Sequence, residues 1–130
     1  MATTMSMSDF LKECKRSVSL AEALRGYARA LIGQISQSAV CYRFHKTDQR
    51  LARWLLTSAD CMQADEFRLT QEFLSHMLGV RREAVNDAAT RMQQIGIINY
   101  SRGAIQILDR PRLESAACKC YLIIKEDLDH

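Results

Sequence analysis

Residues 69–107, LTQEFLSHMLGVRREAVNDAATRMQQIGIINYSRGAIQI, decide how this chain is read. Two short helical patterns flank Gly79, and a hairpin rich in β-branched residues follows them. Gly79 falls where the chain must leave one helix and enter the next, and glycine takes the left-handed backbone needed there without a steric cost. With Gln71 as the first position of a helix-turn-helix unit, Leu74, Leu78, Val80, Val85 and Ala88 occupy the sites that seal the two helices together. Ser75 is small enough to let the second helix cross closely.

Helical spacing turns Val85, Ala88, Ala89 and Met92 inward, leaving Arg82, Glu83, Asn86 and Asp87 on the outer face near the start of the second helix. That end of a recognition helix is the part that meets base edges in a DNA major groove. Arginine can donate two bonds to guanine and glutamate can accept from the cytosine amino group, each discriminating by roughly 1–3 kcal/mol. A solvated face of mixed charge is the alternative for such a helix taken alone. Gly79, the buried pattern and the hairpin together favour the nucleic-acid reading.

The same residues resemble the DNA-binding half of the Crp/Fnr family of bacterial transcription regulators. KTDQRLARWLL before the helix pair and IINYSRGAIQILDRPRLE after it are similar to that family's segments as well. The resemblance implies a mainly α, α+β fold: a winged helix-turn-helix with a small antiparallel sheet, preceded by a long dimerisation helix. It also implies that Thr70 and Gln71 contact phosphates, that Arg82 and Glu83 read bases, and that Arg102 beside Gly103 reaches the DNA backbone from the wing. The full candidate DNA-contacting set is Thr70, Gln71, Arg81, Arg82, Glu83, Asn86, Asp87, Arg91, Ser101, Arg102 and Gly103. Asp87 departs from the family's best-known reader, which has a second arginine at that position. A carboxylate cannot donate to guanine, so that reader's operator sequence does not carry over.

Composition is compatible with this picture. A chain of 130 residues with 48% apolar content can form one winged-helix core and one further long helix. The formal charge of +3 is only mildly basic, so any grip on DNA depends on local placement. Between Phe67 and Arg112 there are seven arginines against four acidic residues, whereas Glu126, Asp127 and Asp129 make the end of the chain acidic. No apolar run approaches the ~20 residues of a membrane helix, and the first residues, MATTMSMSDF, do not have the layout of a secretory signal. The expectation is a cytoplasmic protein without membrane association.

In front of the winged helix, residues 8–15 suggest a short helix, and Ser19-Leu20-Ala21-Glu22 has the form of a capping box that would start a long one. Leu20, Leu24, Tyr27, Ala28, Leu31, Ile35, Ser38 and Tyr42 then follow at coiled-coil-like spacings. A winged-helix core is too small to cover such a helix, so self-association is the natural solution; packing against a missing part of the same polypeptide is the alternative. Two recognition helices related by a two-fold axis would read half-sites roughly 34–36 Å apart, an inverted repeat. In the family the corresponding helix joins an effector-binding β-roll to the DNA-binding domain. Only a short segment precedes Ser19 here, so the chain is either a fragment of a longer regulator or a regulator without a sensor of its own. Ile35 and Ser36 fall where the catabolite activator's helix offers hydroxyls to cyclic AMP, and a single hydroxyl there does not support that ligand.

The expected organisation is therefore residues 1–45, a short helix and the dimerisation helix, followed by residues 46–130, the winged helix. A break near residues 45–47 would let Thr47 cap a second helix with Leu51, Trp54, Leu55 and Ala59 as its buried stripe. Residues 66–69 read as a strand, 97–100 and 104–108 as the wing strands with Ser101-Arg102-Gly103 at the tip, and Asp109 with Pro111 opens one last helix carrying Leu113, Ala116, Ala117, Cys120 and Ile124 inward.

Five cysteines, Cys14, Cys41, Cys61, Cys118 and Cys120, are odd in number and irregular in spacing, which argues against a disulfide scaffold. Cys118 and Cys120 form a C-x-C pair, too sparse for a zinc site without two further ligands at close spacing. Reduced structural thiols are the expectation, with redox sensing or metal binding as alternatives, and His45 and His76 each stand alone. No cofactor or metal follows from the sequence. There is also no P-loop, no G-x-S-x-G, no H-E-x-x-H and no dinucleotide fingerprint, so an enzyme is not expected. The expected function is sequence-specific, homodimeric transcription regulation on double-stranded DNA, with RNA polymerase as a candidate second partner. A winged helix used only for protein contact is the alternative.

Overall fold

In the computed structural model, which describes residues 2–129, seven helices and three short strands follow one another along the chain. Helix α1 (Met7–Arg16) leads into the long α2 (Val18–Phe44), and Ser17 serves both ends of that junction. Its backbone N–H closes α1 on Glu13, while its Oγ accepts from Leu20 N at 3.3 Å to start α2. The cap of the long helix is thus Ser17, two residues before the expected Ser19, and the expected capping box with Glu22 does not form. Ser19 lies in the first turn of α2, where its backbone is already helical, whereas Ser17 has the extended backbone (φ −112°, ψ 108°) that a cap residue adopts.

Helix α3 (Thr47–Met62) begins after a break at His45 and Lys46. Lys46 rather than Thr47 is the boundary residue, and Gln49 Oε1 accepts from the Lys46 N–H at 3.1 Å. Leu51, Leu55 and Ala59 are buried as their spacing predicts, joined by Ala52 and Leu56, while Trp54 is only partly buried at the edge of the same core.

The helix-turn-helix consists of α4 (Gln71–Leu78) and α5 (Arg82–Gln94). Gly79 adopts φ 62°, ψ 35°, the left-handed cap expected of it, and its N–H bonds back to His76 O. Leu74, Leu78, Val85, Ala88, Ala89 and Met92 are all buried, with Val80 packed against them. Strands β1 (Glu66–Arg68), β2 (Ile98–Ser101) and β3 (Ala104–Ile107) form an antiparallel sheet in the order β1-β3-β2. Phe67 opposite Ile105 and Ile98 opposite Ile107 turn inward and cover the helices with the sheet's apolar face.

The last segment differs from expectation. Asp109 caps α6 (Arg110–Ala116) through Oδ1, which accepts from Arg112 N at 3.2 Å, but the chain then turns extended at Ala117 and restarts as α7 (Cys120–Asp129). One continuous helix was expected because neither glycine nor proline marks the break. The bend lays α7 along α2, where Gly33 gives room to the Asp127 carboxylate and Gln37 Nε2 reaches Cys120 Sγ at 2.9 Å. One face of α2 is thus covered by α7, a segment of this chain that the sequence alone does not pair with it. Tyr121 and Arg110 lock the bend to α3: Tyr121 Oη donates to Asp60 Oδ2 at 2.7 Å, and Arg110 bridges Asp60 and Glu114.

Candidate nucleic-acid interface

The site is built where α4, α5 and the wing meet. Thr70 caps α4, its Oγ1 accepting from Phe73 N at 3.1 Å, so its hydroxyl sits at the positive end of the helix dipole. Gln71 follows and donates from Nε2 to Asn86 Oδ1 of α5 at 3.1 Å, linking the two helices across their outer face. Arg81 precedes α5 and Arg82 opens it; both are exposed, as are Glu83, Asn86 and Asp87. The buried positions of α5 are its other side, so the outer face is the one that spacing predicts.

The wing arrives at the same place by a tight turn. Arg102 at φ 50° and Gly103 at φ 79° connect paired Ser101 and Ala104, the positive-φ pair of a two-residue hairpin turn whose twist matches its strands. Such a turn favours asparagine first; arginine there is held in a conformation costing roughly 1–2 kcal/mol. Leu69 N donates to Gly103 O at 2.9 Å, and Tyr100 Oη donates to Leu69 O at 2.8 Å, so the wing is pinned to the residue before Thr70. Arg68 Nη2 adds a bond to Arg102 O at 3.2 Å.

As a result Thr70, Gln71, Arg82, Tyr100, Arg102 and Gly103 line one shallow surface hollow. Five of these are sequence candidates. Tyr100 and Arg68 are not: the aromatic reads as a strand residue, and the alternation that makes it one gives no hint that its hydroxyl braces the wing. Burial raises the Tyr100 phenol above its ordinary range, so it stays a neutral donor. Ser101 stands exposed at the tip. Arg91 lies farther along α5 and is engaged within the chain, with Nε and Nη2 donating to the two carboxylate oxygens of Asp48 at 2.8 and 2.6 Å.

The candidate dimer stripe divides. Tyr27, Ala28, Leu31, Ile35 and Tyr42 are exposed, Tyr27 and Ile35 by 67% and 62%, whereas Leu20, Leu24 and Ser38 are partly covered. Tyr42 also has an internal role, lying over the Arg50 guanidinium at 4.6 Å and against Gly79.

Sequence spacing leaves the cysteines scattered, and folding gathers three of them. Cys41 from α2 and Cys118 from the α6–α7 bend have their sulfurs 3.4 Å apart, and Cys120 Sγ lies 3.5 Å from Nδ1 of His45, so His45 does not stand alone. The two further donor side chains that the C-x-C pair lacks in sequence are therefore Cys41, in the last turn of α2, and His45, which caps it. Burial, followed by the neighbouring Cys41, pushes the Cys118 thiol up to about 12. For Cys41 burial also prevails, against the opposing pull of Cys118 and the Arg53 charge. Cys14 and Cys61 lie elsewhere, neither in a disulfide.

A winged helix with its recognition face open and a long helix in front defines a class of helix-turn-helix domain, and the comparisons identify which. Residues 49–116 match the family model described as the Crp-like helix-turn-helix domain. The chain belongs to that family, which comprises transcription regulators and not enzymes. Among solved structures it is similar to a protein of the Crp/Fnr transcriptional regulators from Eubacterium rectale, with 26% identity and a TM-score of 0.64 over 79% of this chain and 48% of that one. It shares its fold with FixK2 from Bradyrhizobium japonicum (18% identity, TM-score 0.74, 88% of this chain and 60% of that one). The same holds for the catabolite activator protein of Thermus thermophilus (20% identity, TM-score 0.51, 85% and 52%). The chain spans about half the length of these solved regulators. No curated protein sequence matches it. Among the described residues no helix is long and apolar enough to cross a membrane.

Proposed function

We propose that this chain binds double-stranded DNA sequence-specifically and regulates transcription as a homodimer on an inverted-repeat operator. The observation that carries the reading is the convergence of Thr70, Gln71, Arg82, Arg102 and Gly103 on one hollow beside the exposed start of α5. Helix ends, arginine and backbone amides are the groups that hold phosphates. Arg82, Glu83, Asn86 and Asp87 supply base-reading chemistry next to that anchor, with Arg81 flanking the helix start. Asp87 also disfavours a guanine at the position it faces, since a carboxylate offers only acceptors.

The dimer reading rests on the exposed stripe Tyr27, Leu31 and Ile35, apolar side chains on a face of α2 that α7 leaves open. In this reading residues 1–45 are the dimerising arm and residues 46–130 the DNA-binding domain, with RNA polymerase as a second partner. Selection of bound sequences from a random duplex pool tests the function: an enriched inverted repeat is the expected result. Binding to DNA should also weaken steeply with salt. No enrichment, with salt-insensitive silence toward every duplex, would instead assign the fold to protein contact.

A further inference from the structure

We infer that Cys41, His45, Cys118 and Cys120 form a zinc-binding site that staples the end of the long helix to the bend between α6 and α7. Their donor atoms all lie within 4.8 Å of one another, and all three sulfurs are buried. A tetrahedral zinc ion with bonds of about 2.3 Å to sulfur and 2.0–2.1 Å to nitrogen sets its donors roughly 3.5–3.8 Å apart. The Cys41–Cys118 and Cys120–His45 separations of 3.4 and 3.5 Å are close to that spacing before any ion draws them in. Three thiolates and an imidazole are a donor set of structural zinc, and four protein ligands close the coordination sphere. An iron–sulfur cluster needs its cysteines spread around a multi-atom core, whereas this cluster is gathered about a single point.

The surroundings are arranged for the same ion. Gln37, one turn before Cys41 on α2, donates from Nε2 to Cys120 Sγ at 2.9 Å, the outer-shell bond that orients a ligand and stabilises a thiolate. Zinc with three thiolates and a neutral imidazole keeps one negative charge. Arg53 of α3 is a buried cation whose charge acts on Cys41, and its Nε has no hydrogen-bond partner among the described residues. The spacing within each half fits its backbone: Cys41 and His45 are four residues apart at the end of a helix, while Cys118 lies in the bend and Cys120 opens α7. The three cysteines form a small buried cluster separate from the main core. The site thus accounts for a bend that neither glycine nor proline marks.

The test is titration of the full, chelator-treated and reduced chain with Co2+ alone under anaerobic conditions, followed by displacement with Zn2+. Thiolate-to-cobalt charge-transfer bands and intense tetrahedral ligand-field bands should saturate at about one equivalent per chain and vanish on adding zinc. Cys41→Ser and Cys118→Ser should weaken cobalt binding at least tenfold, Gln37→Leu by about 10–100-fold, and Cys61→Ser not at all. The wild-type titration decides the matter even where a serine variant fails to fold. Absence of a saturating band, an octahedral spectrum, or an equal loss in Cys61→Ser would overturn the proposal. So would a Cys41–Cys118 disulfide in chain isolated from cells without exposure to oxidant.

Discussion

The guanidinium of Arg50 donates from Nη2 to the main-chain carbonyl of Leu78, joining α3 to the last turn of α4 just before Gly79. A buried cation at a helix C-terminus satisfies a free carbonyl and meets the negative end of the dipole. Tyr42 covers the same guanidinium from α2, so three helices meet at the turn between α4 and α5. Arg50→Met should cost about 1–3 kcal/mol by leaving the Leu78 carbonyl without its donor. Urea denaturation checks this, and a midpoint equal to that of the parent would show that the bond contributes nothing net.

Arg82 and Arg102 should fail in different ways. Arg82→Ala is expected to lose about 1–3 kcal/mol on the preferred sequence and relax the preference at one base pair of each half-site. Arg102→Ala should weaken all duplexes alike and lower the salt slope by about one per chain. Binding isotherms on the selected and a scrambled duplex at several salt concentrations separate the two. An equal loss on both duplexes for Arg82→Ala would remove its base-reading role.

The wing turn should show a trade between stability and binding. Asparagine tolerates the left-handed region at Arg102 better than arginine does. Arg102→Asn should therefore raise stability, by up to about 1 kcal/mol, while reducing affinity for DNA. Calorimetry and binding on the same preparation check it; a variant both less stable and unchanged in affinity would contradict the prediction.

Acid sensitivity should trace to two aspartates. The hydrogen bond from Arg91 holds the Asp48 carboxyl below the usual range. For Asp60 burial pulls upward, but bonds from Tyr121 and Arg110 more than offset it, and the carboxyl is again depressed. Depressed carboxyls contribute fully above their unfolded value, about 3.9, and the contribution is lost as pH falls through the lower folded values. Tm should therefore fall below about pH 4, and less steeply in Asp60→Asn, whose Tm is already lower at neutral pH. Asp48 should matter less because its pair with Arg91 is well exposed and screened. Parallel acid limbs in parent and Asp60→Asn would sink the assignment.

The long helix should lose its self-association when its open face is charged. Leu31→Glu lies away from α7 and from the wing, so it should leave the circular dichroism spectrum unchanged and reduce the mass in light scattering from dimer to monomer. A monomeric parent protein at tens of micromolar would remove the dimer from the proposal.

The helix-turn-helix was legible because its determinants are local: Gly79 must be left-handed, and Leu74, Leu78, Val85 and Ala88 repeat at helical spacing within one short window. The outward set from Arg82 to Asp87 follows from the same periodicity. Ser17 was missed because it competes with Ser19 for the same helix, and a capping box is a pattern that context can leave unused. The break before α7 was missed because its causes lie on α2 and α3, far away in the chain. The cysteine cluster is the extreme case: Cys41 and Cys118 are 77 residues apart, and no local pattern encodes their meeting. Tyr100 and Arg68 were missed since their roles at the wing depend on a loop they touch only after the sheet has formed.

The pinning of Gly103 to Leu69 has a mechanical consequence. The wing tip and the residue before the cap of α4 are joined by a backbone bond and a tyrosine hydroxyl, with Arg68 bracing the tip besides, so they act as the two jaws of a fixed calliper. On the proposed reading, a duplex that binds must bring its phosphates to the gauge of that calliper, and part of the selectivity would then come from how easily each sequence of DNA bends or narrows to fit.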